Sequence, residues 1–131
     1  MNAHQFRDRI AATDNALDLD AHMNLISKDI SVFGVPDFDV IGYDDRFNQR
    51  KHEFDNILLK QVGCKGLNVP AKAPNRIMFK SIETVEGSDG SVITSGIGFI
   101  IQKEEEAGWR VNQQRVLPDD EPENDMGRGA L

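Results

Sequence analysis

His22, Glu83 and Arg115 are the side chains of this 131-residue chain best suited to move a proton or hold an anion. His22 falls within the apolar arc Leu19, Met23, Leu25 and Ile26 of a short helix. A histidine there is either a hydrogen-bonded structural group or, if it lines a cavity, a general acid–base catalyst with a pKa near neutrality. Glu83 alternates with apolar residues in RIMFKSIETVEG. Turned inward, its carboxyl becomes more basic through burial; turned outward, it is a solvated or arginine-paired acid. Arg115 lies in GWRVNQQRVLP, where Trp109, Val111, Gln113, Arg115 and Leu117 share one parity. Three large apolar members mark that parity as the inner face. Gln113 and Arg115 are then polar groups in an apolar wall, and Arg115 can take a carboxylate or enolate oxygen in bidentate fashion. The competing reading of Arg115 is a salt bridge at a rim or subunit interface; with inverted parity, Asn112 and Gln114 face inward. Ser95, on the apolar face with Ile93, Ile97, Phe99 and Ile101, can donate to a ligand or to nearby backbone. Tyr43 precedes a helix and either faces a cavity mouth or staples the helix start.

Other chemistries find little support. Three scattered histidines with no HExxH spacing and a single cysteine do not make a metal site. His52 falls roughly 140° from Phe47 on a helical wheel and points to solvent, as does His4 opposite Phe6. Gly96-Ile97-Gly98 lacks the third glycine and the following helix of a dinucleotide fingerprint. Cys64 has no histidine nearby and reads as a packed small residue. No cofactor is expected.

The elements that must position these groups follow from periodicity. Ala3, Phe6, Ile10, Thr13 and Leu17 form one helical stripe over residues 3–17. Asp18 caps a second helix running to about Ser27. Strands are expected at ISVFG (30–34) and FDVIG (38–42). DDRFNQRKHEFDNILLK, from Asp44 or Asp45, reads as a third helix with Phe47, Phe54 and Leu58 aligned. CKGLNV is a short strand candidate. RIMFKSIETVEG and SVITSGIGFIIQKE are long strands joined by the turn signal SDG, and EEAG leads by another hairpin into the closing strand. Three helices followed by a run of antiparallel strands give an α+β fold. Glycines 96 and 98 allow the long strand to bend, so the sheet can curve into a cone wrapped around the three N-terminal helices.

Composition bounds the rest. The length predicts one domain over residues 1–118. Fifteen Lys and Arg against 22 Asp and Glu give a formal charge of −7. Much of it sits in residues 119–131, where Asp119, Asp120, Glu121, Glu123 and Asp125 oppose only Arg128. That acidic segment, with little to bury, reads as a disordered tail. A weakly acidic body lacks the clustered positive charge that nucleic acid requires. No apolar run can span a bilayer, and the start MNAHQFRDRI has no signal-peptide pattern, so a cytoplasmic location is expected.

Four stretches carry a resemblance. NALDLDAHMNLISKDISVFG, IGYDDRF, SIETVEGSDGSVITSGIGFII and GWRVNQQRV occur in the order and spacing of the nuclear transport factor 2-like superfamily, which includes ketosteroid isomerase and SnoaL-like cyclases. The resemblance covers roughly residues 3–118. It implies a cone-shaped α+β barrel, an internal pocket and a homodimer formed through the sheet. It does not imply one activity, because the superfamily hosts isomerases, dehydratases, hydrolases, cyclases and non-catalytic binders. Aligned with ketosteroid isomerase, the catalytic base falls at Gly34 and the tyrosine near Ile10, and GIGFII has no acid. That catalytic set is missing here. Beside a purely structural dimeric module with a filled cavity, two ligand-directed functions therefore compete. One is a binder of a small apolar or amphipathic molecule, with Tyr43, Ser95, Trp109, Gln113 and Arg115 at its pocket. The other is an isomerase, dehydratase or cyclase using His22 or Glu83 with Arg115.

Overall fold

Asn2 starts the first helix by a reciprocal cap: its side chain accepts from the Gln5 backbone N–H at 2.8 Å, and its own N–H donates to the Gln5 side chain at 3.1 Å. A computed structural model describes residues 2–35, 39–104 and 108–117. Helix α1 (Ala3–Asn15) buries Ala3, Phe6, Ile10 and Asp14. Asp18 caps α2 (Leu19–Met23), accepting from the Ala21 N–H at 3.1 Å. Strand β1 (Ile26–Phe33) follows, then α3 (Tyr43–Asp55) and four long strands: β2 (Leu59–Ala73), β3 (Arg76–Gly87), β4 (Val92–Glu104) and β5 (Gly108–Val116).

The three helices end earlier than the sequence suggests, for identifiable reasons. Helices α1 and α3 both close in a two-bond C-terminal turn, Asp18 N–H to Thr13 O and Leu58 N–H to Glu53 O being the outer bonds. The left-handed residue in each turn is Leu17 or Ile57 rather than glycine, so the usual stop signal is absent. Helix α2 ends at Met23 because Ile26 is drawn into the sheet opposite Val111, with the Val111 N–H donating to Leu25 O at 2.7 Å. The strand expected at 38–42 reduces, among the described residues, to one bridge between Val32 and Ile41; Phe38 lies outside them. Strand β2 is much longer than CKGLNV because it occupies a sheet edge, where Pro70 and several bulges are tolerated.

The curved open sheet runs β1-β5-β4-β3-β2. All pairs are antiparallel except β1 with β5, which are parallel. The expected α+β cone with three N-terminal helices is the observed architecture. The SDG turn joins β3 to β4, whereas the link 105–107 and the acidic tail lie outside the described residues. Strand β3 shows how the cone is filled. Its inner face carries Ile77, Phe79, Ser81, Glu83 and Val85, paired with Ile101, Phe99, Ile97, Ser95 and Ile93 of β4. Phe79 and Phe99 stack at 5.1 Å in a sealed core with Phe6, Ile10, Ile26 and Val111. Toward the other end, apolar pairs give way to Glu83 and Ser95, and the packing opens. No helix among the described residues is long and apolar enough to cross a membrane.

Candidate functional site

Beyond the Phe79–Phe99 layer lies a cavity of about 240 Å³. Its apolar wall includes Val32, Leu59, Val62, Val85, Ile97 and Val116, and its polar groups are Asp14, Arg46, Gln49, Arg50, Glu53, Glu83, Ser95 and Gln114. Helix α3 supplies the cations. Arg46, Arg50 and Glu53 follow at spacings of four and three, so they form one stripe beside Phe54, which is buried.

Arg46 is 6% exposed and is held from two sides. One terminal nitrogen donates to the Gln114 side-chain oxygen on β5; the other lies 3.4 Å from His22 Nε2. The opposite ring nitrogen of His22 lies 3.0 Å from Thr13 Oγ1, whose hydroxyl already donates to Ile10 O at 2.9 Å. Thr13 therefore accepts from His22, and the proton sits on Nδ1. This leaves the Nε2 lone pair facing Arg46, so His22 is an acceptor that orients a guanidinium. Its ring is fully buried and stands edge-on to Phe54 at 6.1 Å. Burial, with Arg46 and Arg50 adding to it, pulls its pKa down from 6.5 to about 2.

The neighbouring charges are unevenly shared. Arg50 lies 2.8 Å from a Glu53 oxygen and 3.4 Å from Asp14 Oδ1. Burial opposes its charge, but Asp14 and Glu53 outweigh that and raise its pKa above the ordinary arginine value. Asp14 is 1% exposed, and its Oδ1 accepts no hydrogen bond. Burial raises its pKa against the pull of Arg50 and Arg46. Glu83 is raised as well, by burial first and then by Asp14 and Glu53, with the two arginines opposing. Arg46 makes no ion pair with a carboxylate of the described residues, and its Nε hydrogen has no acceptor. Burial, then Arg50, lowers its pKa to about 9 against the weaker, non-contacting pull of Asp14, Glu83 and Glu53. The site thus has one arginine neutralised by two acids and another held by neutral groups. No cluster of metal ligands occurs among the described residues.

No protein-family model and no curated protein matches the sequence. Many solved structures match the fold. One is a protein of unknown function from Shewanella oneidensis described as NTF-2 like, at 12% identity and a TM-score of 0.72, covering 86% of this chain and 93% of that one. Another NTF2-like protein, from Cytophaga hutchinsonii, aligns at 10% identity and TM-score 0.70, covering 88% and 98%. The fold is nuclear transport factor 2-like. A candidate scytalone dehydratase from Novosphingobium aromaticivorans shares it at 8% identity and TM-score 0.72, covering 86% of this chain and 78% of that one. Identities this low establish the nuclear transport factor 2-like fold and nothing finer.

Within this fold the singled-out residues separate into distinct places. Glu83 and Ser95 line the cavity. His22 is buried behind Arg46, touching the site through it. Trp109 is half-buried and packs against the core, and Tyr43, the first residue of α3, does the same beside a different depression with Met23 and Phe47. Gln113 and Arg115 are not on the inner face. Ile101 pairs with Val111 but Ile100 pairs with Gln113, so Asn112 is an extra residue that inverts the strand's parity. Trp109 and Val111 obey the expected alternation. Beyond the bulge, Gln114 and Val116 reach the cavity, whereas Gln113 and Arg115 line a separate depression with Phe33 and Asp39. Gly34 also has a structural reason. Its φ is +82°, and a Cβ there would lie 2.3 Å from the Val116 carbonyl oxygen, so a side chain bearing a catalytic base has no room.

The sequence reading missed Asp14, Arg46, Arg50 and Glu53. A signal was present for each. Asp14 lies four residues after Ile10, on the buried stripe of α1, and the three α3 residues share a face beside Phe54. Charged residues in register with a buried stripe can mark a charged cavity wall.

Proposed function

We propose that this chain binds a small amphipathic molecule inside the cone. The carrying observation is a cavity with an apolar wall on one side and a convergent set of buried polar groups on the other, the arrangement that orients small ligands in proteins. Its volume, about 240 Å³, lies under the ~300–1,000 Å³ of drug-sized sites and favours a compact ligand. Thermal unfolding with a panel of small carboxylates, steroids and polyketide-like compounds tests this. A ligand at about a hundred times its Kd stabilises the native state by about 2.7 kcal/mol, a Tm rise of several degrees. Val85→Trp, which fills the cavity, should abolish that rise. Silence across the panel, or an equal response from the filled variant, defeats the reading.

A second reading is supported by Glu83. A carboxyl made more basic by burial, beside an arginine able to stabilise a developing oxyanion, suits proton abstraction from a carbonyl compound. His22 fits that role poorly, because its Nδ1 proton is committed to Thr13 and its Nε2 faces a cation. Under this reading Glu83→Gln abolishes turnover of an enolisable ligand while leaving its binding intact.

The working unit we propose is a cytoplasmic homodimer of the 1–118 domain, paired through the outer face of the sheet. Half-exposed Met78, paired with Ile100 on that face, supports the pairing. Light scattering at micromolar concentration should give twice the chain mass of 14.6 kDa; a monomer there overturns it.

A further inference from the structure

Arg46 is an uncommon object: a cation at 6% exposure whose two hydrogen-bonding neighbours, Gln114 and His22, are both neutral. A buried guanidinium ordinarily faces a carboxylate, because desolvation of the charge is otherwise uncompensated. Here the acids that could serve are engaged or displaced. Glu53 and Asp14 pair with Arg50, and Glu83 makes no ion pair with Arg46. The fixed geometry suits a receptor. The Thr13–His22 pair sets one edge of the guanidinium, Gln114 sets another, and Nε keeps an unused proton. Arg46 also borders the cavity, so a ligand can reach it.

We infer that the cavity takes a small monoanion headed by a carboxylate, which supplies the contacting counter-charge that Arg46 lacks, with its apolar body against Val32, Ile97 and Val116. The inference rests on the ligand-binding reading above and adds the head group to it. Charge count favours a carboxylate over a phosphate ester. One unpaired arginine compensates one negative charge, and Asp14, Glu53 and Glu83 around it repel a second. A planar two-oxygen head also matches the guanidinium fork. A cationic head finds three acids but would have to sit beside two arginines.

Matched pairs of ligands decide the matter on the native chain: hexanoate with hexanamide, and cinnamate with cinnamamide, titrated by calorimetry at neutral pH. Each acid should bind about tenfold or more tightly than its amide. Arg46→Met should bring the ratio to about one. Because that variant removes a buried anchor, Gln114→Glu provides a second test that places a built-in carboxylate against Arg46. It should weaken the acids by about tenfold or more and leave the amides nearly unchanged. Equal affinity of acid and amide on the native chain overturns the head-group inference while leaving the ligand-binding reading standing. The same holds if hexylamine or phenyl phosphate outcompetes the acids, or if Gln114→Glu keeps the native preference. If no member of any pair binds, both readings fall together.

Discussion

Acidification from pH 6.5 to pH 4.5 should withdraw about 2.3 kcal/mol of stability through His22 alone, the slope approaching about 1.4 kcal/mol per pH unit below the unfolded pKa. In the unfolded chain His22 takes up a proton near its ordinary pKa of 6.5, whereas in the fold burial, Arg46 and Arg50 push that event down to about 2. Below pH 6.5 the unfolded state therefore binds more protons than the native one, and stability falls as the pH falls. Asp14 and Glu83 act in the opposite sense. Their folded pKa values are raised, so they stabilise the fold at low pH and lose that contribution as the pH rises through those values. A bare stability profile mixes the two directions. The difference between the native chain and His22→Gln separates them, since only the histidine titrates differently. Urea unfolding between pH 7.5 and pH 4.5 should show the native chain's advantage nearly constant at first and then shrinking toward the stated slope below pH 6.5. A difference that stays flat with pH would show that His22 can be protonated in the fold, and its role as acceptor for Arg46 would go with it.

Phe79→Ala should cost about 3–5 kcal/mol, a large part of the 5–15 kcal/mol that holds a domain of this size. Phe79 is fully buried and stacks on Phe99 with ring centroids 5.1 Å apart and planes 25° from parallel. Truncation removes that pair, worth about 0.5–1.5 kcal/mol beyond its area, and leaves a void that two sheet strands cannot collapse to fill. Ile93 offers the contrast. It lies on the same sheet face, six residues from Phe99, but is 63% exposed near the cavity end. Ile93→Ala should change stability by no more than about 0.5 kcal/mol. Paired denaturant melts of the two variants measure where the sealed core ends. Similar losses would show that the open end is packed as tightly as the closed one.

The architecture was more legible than the site. Alternation in RIMFKSIETVEG and SVITSGIGFIIQKE follows directly from the two faces of one sheet, and SDG announces the turn between them, so β3, β4 and their register could be read from local chemistry. The boundaries of α1 and α3 could not. Leu17 and Ile57 occupy left-handed positions that sequence patterns assign to glycine, and only the surrounding fold holds them there. Glu83 and Ser95 were found because parity on an unbroken strand carries through from the core to the cavity. Gln113 and Arg115 were assigned to the inner face by the same rule, which fails across a bulge. The Arg46 network escaped for another reason. Charge on a helix is ordinarily a solvated face, and the shared face of Arg46, Arg50 and Glu53 beside Phe54 is the one local sign that β5 and α2 close over it.

The bulge at Asn112 makes the chemistry of this cone depend on counting. Both side-chain sets of the closing strand, Gln114 with Val116 and Gln113 with Arg115, are present in the same nine residues, and whether Asn112 is bulged out or paired selects which set the interior receives. Were Asn112 to pair regularly with Ile100, Arg115 would turn inward and Gln114 outward with no residue altered, whereas deletion of Asn112 would leave Gln114 inward. Regularising the bulge is thus a larger functional step for this strand than most substitutions within it. One strand sequence can thus present an amide or a cation at the pocket wall while the sheet that displays them stays the same.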